Sequence, residues 1–277
     1  MSLLDGKVAI ITGAGGGLGS GYAKLLASEG ASVVVNDFQS EAAHAVVSAI
    51  EQAGGRAVAS VCDVSRMESG DAILKTAIDA FGRVDILVNN AGILRDKGFA
   101  GMTEAMWDAV VAVHLKGTFS VTQPVFRWMK EHGSGGVVIN TSSASGLGGN
   151  IGQTNYGAAK AGIWGFSNCL ALEGKRYGIR VWTLVPAANT AMTANLLPPE
   201  YQEKWAAEYV APVVLYMASE LSGEKTNRTL FASGSRVMEL KLTAAAGFSN
   251  GKGVTARDIA ASEADIFLPD MPVDFGA

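Results

Sequence analysis

The chain has little cysteine: Cys62 and Cys169 are its two thiols among 277 residues. That is too few for a disulfide framework, and neither has a metal-ligating neighbour at useful spacing. They read as reduced thiols in the core or at strand ends, and no metal site is expected. Proline is also scarce, seven against 34 glycines, which argues for many tight turns between regular elements rather than Pro-rich disorder. No apolar run reaches the roughly 20 residues of a membrane span. Met1-Ser2-Leu3-Leu4-Asp5-Gly6-Lys7 leads into a strand-like run without a charged-then-apolar signal segment. The expectation is a cytoplasmic protein with no membrane partner. A net charge of -4, with no basic stripe, offers nothing to nucleic acid.

What is present is a hydrophobic core in alternating elements. At 48% hydrophobic and 17% charged, residues 1–277 can form one domain, with a core over about 5–234 and a C-terminal extension over about 244–277. Val8-Ala9-Ile10-Ile11-Thr12 is the continuous apolar run of a buried parallel strand. Glycines follow at once, then a helical face of Leu18, Tyr22, Leu25 and Leu26, then a second strand, Val33-Val34-Val35-Asn36-Asp37. Further strands are expected at Ala57 to Cys62, Val84 to Val88, the run into Ser143, Arg180 to Val185 and Thr229 to Ala232. A long helix is expected from Thr103 to Glu131, and Ser65-x-x-Glu68 reads as a capping box. The alternation defines an α/β protein, a Rossmann-like doubly wound parallel sheet of about seven strands with helices on both faces.

The first strand-to-helix turn carries Gly13-x-x-x-Gly17-x-Gly19 after Thr12. Glycines there permit a tight turn and close backbone approach, and the helix N-terminus that follows can take a dinucleotide pyrophosphate. Asp37 stands twenty residues beyond Gly17, at the end of the second strand. A carboxylate there accepts from a ribose diol and repels a 2′-phosphate, so NAD is expected rather than NADP; the plainer alternative is an Asp that caps the next helix. Asn89-Asn90-Ala91-Gly92 ends the fourth strand, at the sheet edge where such folds bind ligands.

Tyr156 and Lys160 are four apart in a helical segment and so share a face. A phenol titrates near 10 and is a weak base at neutrality; a neighbouring ammonium favours the phenolate. Ser143, at the end of an apolar run, could donate to a carbonyl oxygen. Alone, Tyr-x-x-x-Lys is an ordinary helix face, so its context decides.

In order and spacing these motifs resemble the short-chain dehydrogenase/reductase family, to about Gly234; Ser143 precedes Tyr156 by thirteen residues, as that family's serine does. Asn36-Asp37, the run from Asn89 to Lys97, His114-Leu115-x-Gly117, Ser142 to Gly146, Gly149-Asn150-x-Gly152-Gln153 and Tyr209 to Pro212 are similar to a narrower branch. That branch is the (3R)-hydroxyacyl-CoA dehydrogenase unit of multifunctional β-oxidation enzymes. Their hydratase and sterol-carrier domains are absent from these residues, and no peroxisomal address ends them.

The resemblance implies Ser143, Tyr156 and Lys160 as catalytic residues, with Ser143, Gln153 and Tyr156 meeting a small-molecule substrate. It implies that Gly13, Gly16, Gly17, Leu18, Asp37, Asp63, Val64, Asn90, Gly92, Tyr156, Lys160 and Pro186 hold NAD. It also implies a homo-oligomer, a tetramer through the two long helices; the small face of Ala158, Ala161, Gly162 and Gly165 suits that contact or packing within one subunit. Two departures stand out. His114 replaces the family's relay Asn, either joining the relay or only packing, and Pro186-Ala187 replaces Pro-Gly. The stretch from Ala187 to Glu200 reads as a substrate lid. The tail from Ala244 fits either a partner-covering arm or a loose end. Three functions remain open at this stage: a 3-hydroxyacyl-CoA dehydrogenase, a hydroxysteroid or bulky-alcohol dehydrogenase, and a non-catalytic dinucleotide binder.

Overall fold

A computed structural model describes residues 2–133, 135–189 and 205–269. The strands are β1 (Val8–Thr12), β2 (Ser32–Asp37), β3 (Arg56–Val61), β4 (Ile86–Asn89), β5 (Gly136–Thr141), β6 (Ile179–Ala187), β7 (Arg228–Ser233) and β8 (Arg236–Leu240). They form one sheet in the order β3-β2-β1-β4-β5-β6-β7-β8, parallel from β3 through β7. The expected doubly wound parallel sheet is therefore present, with eight strands instead of about seven. Gly234 and Ser235 alone separate β8 from β7, and a link that short joins only antiparallel strands. Most of β8 is exposed, as an edge strand is, so it lacks the apolar run that marks the others.

Successive residues of a strand face opposite sides, and the sequence uses this directly. Ile11, Val33, Val35, Val88, Ile139 and Trp182 pack on one face with Tyr22 and Leu26 of α1 (Gly17–Ser28). Ile10, Val34, Leu87, Val138 and Val181 pack on the other with Ile73 of α3 (Glu68–Phe81) and Val121, Val125 and Met129 of α5 (Gly117–His132). The chain reverses direction across the sheet between β1 and β4, which lays the glycine turn after β1 against the Asn-Asn-Ala-Gly turn after β4.

Two local expectations are corrected. Ser65 does not cap α3, which begins at Glu68 without a side-chain cap; the Asp63 carboxylate instead accepts the Ser65 N–H at 3.0 Å and starts a turn that delays the helix. The helix expected from Thr103 is interrupted: α4 (Glu104–Val111), capped by the Thr103 hydroxyl, passes into a π-turn over Ala112–Lys116 before α5. The wider turn points His114 into the protein.

Contacts divide the chain into Met1–Glu239 and Leu240–Ala277. In the second unit the helix Ala256–Ala261 starts at a reciprocal Thr255–Asp258 capping box and is followed by Glu263–Ile266. Of the expected lid, residues 190–200 lie outside the described residues, as do Pro272 and Gly276 of the tail. Cys62 and Cys169 are free thiols, Cys62 partly buried after β3 and Cys169 exposed. No helix among the described residues is long and apolar enough to cross a membrane, and none of their His, Cys, Asp and Glu clusters could hold a metal ion.

Candidate active site

The turn after β1 is a cradle built from absent side chains. Gly13 and Gly17 have φ of +62° and +51°, which a side chain would strain. A Cβ on Gly13 would lie 2.7 Å from Ala91 Cα, one on Gly15 2.8 Å from Asp37 Oδ2, and one on Gly19 would strike the Gly13 carbonyl. Gly16, by contrast, faces open space and leads α1 without a side-chain cap, so the first N–H groups of that helix are available to an anion.

Asn90 lashes this turn to β4. Its amide donates to the carbonyls of Thr12 and Gly13 at 3.0 and 3.2 Å, while Thr12 Oγ1 accepts from the N–H groups of Asn90 and Ala91. Asp37 holds the other side, accepting from Gly15 N–H at 3.0 Å through one oxygen and from Gln39 N–H through the other. It is not the cap of α2 (Ser40–Gln52), whose N-cap is Gln39. Leu18 is half-buried on α1, and Asp63 is exposed after β3. Val64 is buried under α5, and Pro186 pairs with Ala232 in the sheet. These groups fit a dinucleotide: an open glycine cradle at a helix N-terminus, with a carboxylate at the next strand end.

The second half of the site lies past β5. Ser143 caps the short helix α6 (Ala144–Gly148), and its Oγ accepts from Ser145 N–H at 3.2 Å. Gly146 lets that helix press on α7 (Thr154–Gly174), since a Cβ there would come within 2.6 Å of Ala161 N. Tyr156, on α7, is thereby brought within hydrogen-bonding reach of Ser143. Lys160, one turn on, is 3% exposed, 5.5 Å from the Tyr156 ring centroid, and donates to the Thr141 carbonyl at 2.6 Å. The three residues expected from the sequence do converge.

Their ionisation differs from expectation. Burial lifts the Tyr156 phenol above its ordinary value, the Ser143 hydrogen bond opposes this, and the Asp96 charge adds to it. The Lys160 charge does not outweigh burial here: burial also lowers Lys160 itself to about 7, and its ammonium donates to the Thr141 carbonyl. His114 packs edge-on against Tyr156 at 5.1 Å. Burial first, and then the Lys160 charge, lower its pKa to about 3, so it is a neutral imidazole at physiological pH. Its Nε2 meets the Ile93 backbone while Nδ1 has no hydrogen-bond partner. The ring also explains Gly92, where a Cβ would collide with His114 Cε1.

Gln153 is buried, with its amide engaged by protein groups. Sequence reasoning missed Asp96, Asn155 and Thr12. Asn155 is fully buried and donates to the carbonyls of Arg95 and Met106, a role that its place beside Tyr156 could have suggested. A cleft of about 760 Å³ along α1, bordered by Lys24, Ile50 and Pro212, contains none of Ser143, Tyr156 and Lys160.

The glycine cradle and the Ser-Tyr-Lys group are the signature of an oxidoreductase, and the short chain dehydrogenase family profile matches residues 7–200. The chain belongs to that family. It is 47% identical over 230 residues to a peroxisomal hydratase-dehydrogenase-epimerase of Neurospora crassa, covering 83% of this chain and 25% of that protein. It thus spans about a quarter of that relative. A short-chain type dehydrogenase/reductase of Mycobacterium tuberculosis is 45% identical, with 94% and 93% covered. A hydroxyacyl-CoA dehydrogenase of the same organism is 38% identical, with 84% and 79% covered. Among solved structures, a short chain dehydrogenase from Mycobacterium avium superposes with a TM-score of 0.87 at 36% identity over 95% of both chains. A 7α-hydroxysteroid dehydrogenase in complex with NADH and a 7-oxo bile acid gives 0.78 at 34% identity, covering 84% of this chain and 94% of that one.

Proposed function

We propose that the protein is an NAD-dependent dehydrogenase that interconverts (3R)-3-hydroxyacyl-CoA and 3-oxoacyl-CoA. The observation that carries the chemistry is the meeting of the Ser143 and Tyr156 hydroxyls beside the buried Lys160 ammonium. The dinucleotide, when bound, supplies or accepts the hydride. Gly13, Gly16, Gly17 and Leu18 would hold its pyrophosphate, Asp37 the adenosine ribose, and Asp63 and Val64 the adenine. Asn90, Gly92, Tyr156, Lys160 and Pro186 would border its nicotinamide half.

In the oxidative direction Tyr156 takes the proton of the substrate hydroxyl, and Ser143 donates to the oxygen as it becomes a carbonyl. The Ser143 oxygen already accepts from Ser145 N–H, which leaves its own O–H free to donate. Lys160 supplies positive charge beneath the phenol and favours its ionised form. Choice of NAD over NADP rests on Asp37, which has Phe38, Gln39 and Ser40 rather than a cation beside it.

The thioester substrate is supported by the relatives named for hydroxyacyl-CoA and for peroxisomal hydratase-dehydrogenase-epimerase activity, and by the branch-specific run from Asn89 to Lys97. A second reading, a hydroxysteroid dehydrogenase, draws on the likeness to the 7α-hydroxysteroid enzyme. Initial rates of NADH oxidation with a 3-oxoacyl-CoA series, run beside a ketosteroid panel, separate the two. The expected result is turnover of the thioesters with NADH and little with NADPH; turnover confined to ketosteroids would move the assignment to the second reading.

A cytoplasmic homo-oligomer, a tetramer through α5 and α7, completes the proposal. Phe119 and Leu172 are exposed on those helices, and a Cβ at Gly165 would meet nothing within 4 Å, whereas Gly162 is already used against Leu115. Free cysteines are consistent with a reducing compartment.

A further inference from the structure

We propose that Asp96 and Gln153 form a positioning pair that sets Ser143 against Tyr156, a role that rests on the proton-transfer assignment above. Gln153 immediately precedes α7, and three of its amide's hydrogen-bonding positions are already taken by protein groups. Nε2 donates to Asp96 Oδ2 at 2.7 Å, and Oε1 accepts from Ser145 Oγ at 2.8 Å and from Asn150 Nδ2 at 3.1 Å. Ser145 in turn donates its N–H to Ser143 Oγ. Hydrogen bonds therefore run from Asp96 through Gln153 and Ser145 to the Ser143 hydroxyl, while Tyr156 stands three residues beyond Gln153, in the first turn of α7.

The loop carrying Asp96 is fixed to the same place by two further contacts. Lys97 N–H donates to the Gly152 carbonyl at 2.9 Å, and the buried Asn155 amide donates to the Arg95 carbonyl at 3.0 Å. Three segments, residues 95–97, 143–145 and 152–156, thus converge on Gln153. A neutral amide suits the junction because it donates to a carboxylate at one end and accepts from hydroxyl and amide groups at the other. An aliphatic side chain of the same length would leave Ser145 and Asp96 without this partner.

Asp96 acts on Tyr156 through charge as well. Four groups face the phenol: Ser143, uncharged; His114 from the π-turn, neutral; Lys160 on α7, cationic below about pH 7; and Asp96, whose negative charge disfavours the phenolate. Arg95 and Lys97 flank Asp96 on the exposed loop, where Arg95 Nη1 donates to the Leu94 carbonyl. Asp96→Asn keeps an oxygen acceptor for the Gln153 amide and removes the charge. Loss of a negative neighbour lowers the pH at which the phenol ionises.

The test uses the full chain labelled with 13C at the tyrosine Cζ, with Tyr156→Phe to assign the Tyr156 resonance. Titration of Asp96→Asn is expected to show the Tyr156 phenol ionising at lower pH than in the parent. The rise of kcat/KM with pH in alcohol oxidation should move the same way. Gln153→Met should lower kcat roughly tenfold to a hundredfold through misplacement of the donor and the base, with KM for NAD unchanged. An unmoved Tyr156 titration in Asp96→Asn overturns the pair, as does parental kcat in Gln153→Met. Because the titration needs no turnover, a shifted phenol in a protein that oxidises no hydroxyacyl substrate would uphold the pair and count against the dehydrogenase reading.

Discussion

Tyr156→Phe should cut turnover of a hydroxyacyl substrate by roughly a hundredfold to ten-thousandfold, the range that a positioned acid–base group contributes. The substitution removes one oxygen and keeps the ring that packs edge-on against His114, so the fold has no reason to change. NADH should still bind, because the glycine cradle, Asn90 and Asp37 hold one another without help from the phenol. The informative readout is therefore the pair of measurements, rate and NADH affinity, on one preparation. A residual rate within a few-fold of the parent would show that another group moves the proton.

Gly19→Ala should have the second large effect, on the other half of the site. Gly19 lies in the first turn of α1, and an added methyl would meet the Gly13 carbonyl, Asn90 Nδ2 at 2.6 Å and Ala14 Cα at 2.9 Å. Two of these are backbone atoms of the cradle, and the third is the amide that lashes the cradle to β4. Nothing flexible can move aside, so the turn itself must open. Forced overpacking of this kind costs about 1–3 kcal/mol, and expressed as cofactor affinity that is roughly a tenfold to hundredfold loss. Fluorescence titration with NADH checks it, with Gly16→Ala as the contrast. Gly16 has no neighbour for a Cβ within 4 Å, so its substitution should leave the melting temperature unchanged. Parental NADH affinity in Gly19→Ala would show that the cradle is not where the cofactor binds.

The parts of the molecule legible in the sequence are those where a local pattern has one physical solution. Val8 to Thr12 and Val33 to Val35 are apolar at every position because both faces of the parallel sheet are covered, and such runs read as buried strands. The four-residue interval of Tyr156 and Lys160 by itself puts both on one helix face. Gly13 and Gly17 announced a turn that only glycine makes without strain.

Elements that rest on tertiary packing carry no local sign and are misread or passed over. The exposed edge strand β8 carries Arg236 and Glu239, and an ion pair from Arg228 to Glu239 at 2.8 Å, not an apolar run, ties it to β7. The π-turn over Ala112–Lys116 arises from how α4 and α5 pack and has no composition of its own. Gln153 and Asp96 are 57 residues apart, beyond the reach of any periodicity argument. The phenol of Tyr156 was expected to fall beside Lys160, but burial acts on both groups and outweighs their mutual charge; that balance depends on how deep each side chain sits.

The account as a whole is tested most directly by offering the enzyme (3R)- and (3S)-3-hydroxyacyl-CoA separately, with NAD, and following NADH. A single proton acceptor, Tyr156, beside a single donor, Ser143, fixes which face of the carbinol carbon is presented to the cofactor. The account predicts NADH from the 3R thioester and none above background from the 3S. NADH from the 3S form alone would contradict the assignment of stereochemistry. Turnover of neither thioester, in a protein that binds NADH, would contradict the assignment of substrate.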